Sequence, residues 1–156
     1  VRRLLGVVPG QALDPQPVDA PAGHVVHPQP HAAHLDDVLC LEDIVEGCLV
    51  LTFCEAHDDH LQPLATALLG ELPHGLTPRD VCDRWVAALT CHGGVPPAVV
   101  FARAREGRSY VLDDDRAWHE AMLGSCREHD LVLEAAFVVT QHAVIPFPAP
   151  LSPDGA

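Results

Sequence analysis

The 156 residues contain no lysine and no asparagine, and all nine basic residues are arginine. That pattern is a nucleotide-composition signature, expected of a very GC-rich genome. It also means that abundant Ala, Asp, Pro and Val carry less design than their numbers imply. Positive charge is scarce: 22 acids stand against nine bases, for a formal net charge of −13. So acidic a chain repels phosphate backbones, which excludes a general nucleic-acid-coating role. No apolar run approaches the ~18–20 residues that cross a bilayer. The apolar stretch after Arg2-Arg3 stops at Pro9, too short for the core of a signal peptide. These absences lead to the expectation of a soluble, cytoplasmic protein with no membrane contact.

Motifs are lacking too. The six cysteines, at 40, 48, 54, 82, 91 and 126, form no Cys-x-x-Cys pair and share no zinc-finger spacing. Most fall in apolar segments and read as buried free thiols. There is no G-x-S-x-G elbow, no P-loop and no H-E-x-x-H; His119-Glu120 has no partner histidine at 123. Ser125 falls mid-helix, a poor place for a nucleophile. No catalytic residue and no cofactor is nominated.

What is present is a core's worth of apolar residues, 48% of the chain. Prolines and the absence of any hydrophobic period mark residues 1–34 as a flexible Pro- and His-rich segment. Residues 148–156 read as a frayed tail. One α/β domain is expected over 35–147. Within it, 35–46 reads as a short helix and 47–54 as a strand buried on both faces. Leu61, Leu64, Leu68, Leu69 and Leu72 recur at helical spacing, predicting a helix capped by Asp58 or Asp59 and stopped by Pro73 and Gly75. Thr77-Pro78-Arg79-Asp80 starts another helix. A second buried strand follows at 98–102, then an arginine-bearing loop. A third long helix opens at Asp113-Asp114-Asp115, with three carboxylates at its positive end. Two strands, 131–140 and 143–147, close the sheet as a hairpin.

Two constellations invite chemistry. His24, His27, His31 and His34 have the spacing H-x2-H-x3-H-x2-H, from which imidazoles can gather Zn²⁺ or Ni²⁺. Pro28 and Pro30 argue against a helix presenting them on one face. His57 and His60 bracket two aspartates at a helix start and are an alternative pair of ligands for a metal-dependent hydrolase. The other constellation is the loop between the second strand and the third helix, where α/β folds place their sites. Arg103, Arg105 and Arg108 cluster there and are candidates for binding an anion or an acidic partner.

At this loop the chain resembles a known family. Residues 98–147 are similar to the C-terminal half of the RadC-type JAB/MPN domain, whose zinc motif is H-x-H-x7-S-x2-D. Asp115-Arg116-Ala117-Trp118 lies on the family's D-R-A-L, and Gly107 falls on its loop glycine. The motif histidines then fall on Ala102 and Ala104 and the motif serine on Leu112; only the aspartate, Asp115, is kept. Upstream, Pro78-Arg79-Asp80 resembles the family's Pro-Arg-Glu, with Asp80 in place of the glutamate that assists the metal-bound water. The spacing from there to the strand is about five residues longer, taken up in 91–97.

The resemblance implies a three-layer α/β sandwich with a mixed sheet, in the arrangement of JAB-like and cytidine-deaminase-like folds. It also implies a member that has lost its metal site, because alanine has no lone pair to offer zinc. On this reading the protein is a non-catalytic binding or regulatory domain with an unidentified protein partner. The rivals are a hydrolase with non-family histidine ligands and a metal-binding protein acting through residues 24–34. Exposed strand edges leave room for a homodimer.

Overall fold

The computed structural model describes residues 29–148. Nine elements follow in order: α1 (Gln29–Val38), α2 (Leu41–Glu46), β1 (Cys48–Ala56), β2 (Leu61–Gly70), α3 (Pro78–Thr90), β3 (Ala98–Ala104), α4 (Asp113–Glu128), β4 (Val132–Val139) and β5 (Val144–Pro146). The strands form one mixed sheet in the order β2-β1-β3-β4-β5. β1 is antiparallel to both β2 and β3, β3 is parallel to β4, and β5 returns antiparallel. Helices lie on both faces. Leu49, Leu51, Val99 and Phe101 pack with Trp85 and Val86 of α3 and Trp118 and Met122 of α4. The alternate residues, Val50, Val100, Ala102 and Ala104, pack with Leu35, Leu39 and Ile44 on the α1–α2 side. Period-2 alternation thus builds two cores from one apolar strand, as a sheet covered on both sides requires.

Three expectations need correction. Residues 61–70 are an edge strand, not a helix. The leucine spacing misleads for two physical reasons. Leu64 is an extra residue in the β1–β2 ladder, since Phe53 pairs with Ala65 and Cys54 with Pro63. Such a bulge breaks the period of two and leaves spacings of three and four. Both faces are also covered: Leu69 packs on the α3–α4 core and Leu68 on the α1–α2 core. Pro63, at the bulge of an edge strand, sits where a strand tolerates it. The second correction concerns the N-terminal boundary. The segment read as flexible through residue 34 is helical from Gln29, with Pro30 in its first turn, where a missing N–H costs nothing. Residues 1–28 and 149–156 lie outside the described residues. The single helix read at 35–46 is two helices, α1 and α2.

The start of α3 is as read. Thr77 Oγ1 accepts from the Asp80 N–H at 3.2 Å, and the Asp80 carboxylate accepts from the Thr77 N–H at 3.4 Å. Thr77→Ala is expected to lower stability by about 1 kcal/mol. A shifted denaturation midpoint at unchanged slope would register it.

Candidate functional site

β3 leads through residues 105–112 into α4. Successive side chains of a strand point to opposite faces, so Arg103 faces α4 while Ala102 and Ala104 face α1 and α2. Arg103 lies over the Trp118 ring, 5.8 Å from its centroid, and pairs with Asp114. Arg105, just past the strand, is buried and uses every N–H it has. Its Nε donates to Asp115 Oδ1 at 2.8 Å and its Nη2 to Asp115 Oδ2 at 2.7 Å. The remaining donors hold the backbone carbonyls of Glu106, Arg108 and Tyr110. One guanidinium therefore fixes the path of the whole loop.

Asp115 is the other half of this cluster and is 0% exposed. Besides Arg105 it accepts the Leu112 N–H at 2.8 Å, and Arg103 Nη1 stands 3.2 Å away without a hydrogen bond. Burial alone would push its carboxyl up. The Arg105 hydrogen bonds, the Leu112 N–H and the two guanidinium charges outweigh burial and hold it below the usual carboxylate range.

The residues singled out by sequence do not converge. Asp115 projects on the α4 side, whereas Ala102 and Ala104 lie in the core on the other face. Leu112 meets Asp115 through its backbone N–H. Asp80 is exposed and caps α3. Beside it, Arg79 bonds to Asp83 and Glu128, and Ser125 donates to Asp83. Those ties join the start of α3 to the last turns of α4, roughly 15 Å along the helix axis from Asp115. A zinc ion needs three protein ligands around one point. These positions offer one carboxylate, already neutralised by two arginines, so the residues present do not fit the metal that the resemblance implies.

The three arginines do not make one anion site either. Arg103 and Arg105 point into the cluster, and only Arg108 is exposed, donating to the Tyr110 hydroxyl at 2.8 Å.

The histidine readings change as well. His57 and His60 sit in the β1–β2 turn, not on a helix, with their rings stacked 5.0 Å apart. His34 is turned inward onto the sheet, its Nε2 2.9 Å from Thr66 Oγ1, and His31 lies beside Phe137. Both pack in α1 against the sheet. His24 and His27 lie outside the described residues. Among the described residues no three His, Cys, Asp or Glu side chains gather as a metal site. All six cysteines are free; burial pushes the Cys48 and Cys82 thiols up to about 12 and those of Cys54 and Cys126 to about 11. These four are inert hydrophobes at neutral pH.

Next to the cluster, an open groove of about 690 Å³ runs along the carboxyl ends of β2 and β3. Val45, Leu72 and Pro73 supply its apolar surface, and Glu46, Glu71 and Glu106 its acids. The sequence did not nominate these residues. Their signal was hidden, because residues 71–74 reach the end of β3 only if 61–70 is a strand. Among the described residues no helix is long and apolar enough to cross a membrane. No family model and no curated protein matches this chain.

Proposed function

We propose that this chain is a non-catalytic binding or regulatory α/β domain that receives a protein segment in the groove at the ends of β2 and β3. The observation that carries this reading is the groove itself, set beside a wall in which Arg103 and Arg105 are paired with Asp114 and Asp115. The Arg105–Asp115 cluster holds the β3–α4 loop rigid, and a rigid, partly apolar groove is how binding sites are built on α/β folds. The resemblance to RadC-type JAB domains enters as one of layout: β3, a loop, α4 and two closing strands. In the loop that the resemblance singles out, Asp115 is held by Arg105 in an ion cluster. Free thiols throughout suit a reducing compartment.

The partner's chemistry follows from the rim. Glu46 and Glu106, on a chain of net charge −13, favour a basic segment with apolar side chains between its charges. Titration of the isotope-labelled full chain with an alternating Arg/Leu peptide is the test. Amide shifts are expected at Val45, Glu46, Leu72 and Glu106, weakened by Glu46→Lys with Glu106→Lys. An acidic peptide or a single-stranded oligonucleotide is expected to leave them unmoved. Shifts confined to other surfaces, or none at all, would contradict the reading.

A further inference from the structure

We propose that α1 is an acid-sensitive cover over one face of the sheet, held down at neutral pH by His31 and His34 and released when both take up protons. The geometry is an amphipathic contact with a polar seam. Leu35, one helical turn after His31, and Leu39 just beyond the helix pack into the core above Val50, Val100, Ala102 and Phe137. Beside them His34 Nε2 meets Thr66 Oγ1 at 2.9 Å, and Thr66 Oγ1 meets Thr52 Oγ1 at 3.0 Å. Thr52 and Thr66 are buried, at 2% and 4% exposure, and His34 is half-buried above them. His31 stands one turn before His34, its ring 6.5 Å from that of Phe137.

The surroundings are poor in counter-charge. β4 contributes Glu134, which favours a proton on His31. The helix itself contributes Asp37, which favours one on His34. β1 offers Cys54, whose thiol stays neutral, together with Thr52; β2 offers Thr66; β3 offers only Ala98, Val100 and Ala102. Burial dominates for both histidines, and each proton on His34 opposes one on His31. Both therefore titrate below the ordinary histidine value.

The sign follows. A histidine whose folded form prefers to be neutral loses stability as pH falls below the ordinary value of about 6.5, because the released state binds protons more tightly. The loss is complete once pH is below the value in the docked helix. Two cations one turn apart on an apolar face then strain the same contact. The hinge is the junction at Leu39 and Cys40, where α1 ends and α2 begins. Release bares the apolar face above Val50 and Phe137 while leaving the α3–α4 core intact.

Hydrogen exchange on the full chain tests this, with amides of residues 31–38 compared from about pH 7.5 to about pH 5 after correction for intrinsic rates. Protection of α1 is expected to fall by about tenfold, with that of α4 unchanged. In the double variant His31→Gln, His34→Gln the fall should vanish. Imidazole titration by NMR in the unaltered chain guards against a variant that fails to dock α1. Ring titration at or above the ordinary histidine value overturns the proposal. So does an α1 whose protection ignores pH, or a loss shared equally by α4.

Discussion

Asp115→Ala is expected to cost about 3–5 kcal/mol, a large fraction of the stability of a domain of this size. The reason is what it leaves behind rather than what it removes. Arg105 is buried and keeps its charge under all ordinary conditions, so without Asp115 a largely buried guanidinium loses the one carboxylate it bonds to. Arg103 loses its second partner at the same time, and the first turn of α4 loses the carboxylate that accepts the Leu112 N–H. Replacing both members by apolar residues, Arg105→Met with Asp115→Leu, should destabilise far less than either single change, because no charge is stranded. Chemical denaturation of the four proteins gives the coupling directly. The same pair sets an acid limit. Asp115 titrates below the usual carboxylate range when folded, so its contribution is whole above about pH 4 and disappears as pH falls through its folded value.

The second large effect comes from putting back what the resemblance says was lost. Ala102→His with Ala104→His is expected to destabilise the domain by at least about 3 kcal/mol and to create no zinc site with Asp115. Ala102 is 0% and Ala104 1% exposed, between Val50 and Phe137 in one row and Cys48 and Val139 in the next. An imidazole in either place overfills a packed layer and buries a ring nitrogen with no partner. It would also face α1 and α2, away from Asp115. Ala104→His alone, nearest the strand end, is the milder form and should fold. Zinc titration of that variant should show no site shared with Asp115.

Much of this architecture can be read from residues. β1 and β3 announce themselves as short, wholly apolar runs, and the structure buries both on two sides. α3 and α4 begin where Thr77 and the Asp113-Asp114-Asp115 run place them. β2 escapes, because a bulge at Leu64 and coverage of both faces give a strand the leucine spacing of a helix. That one error hides the groove, since the neighbours of residues 103–106 depend on where β2 ends. The site itself is half legible. Asp115 and the arginines stand out as charges between a buried strand and a helix. Which face each occupies depends on register, and a shift of one residue sends every side chain to the opposite side. The family resemblance set Ala102 and Ala104 against Asp115, whereas the pleat sets Arg103 there instead.

The end of β3 carries a closed arginine–aspartate cluster, with Asp115 committed to Arg105. Carbon NMR of the Asp115 side-chain carboxyl in the unaltered full chain, followed through a zinc titration, tests it most directly. The resonance is expected to stay at its ionised position and not to move as zinc is added. A shift of that resonance that saturates at one zinc per chain would contradict it.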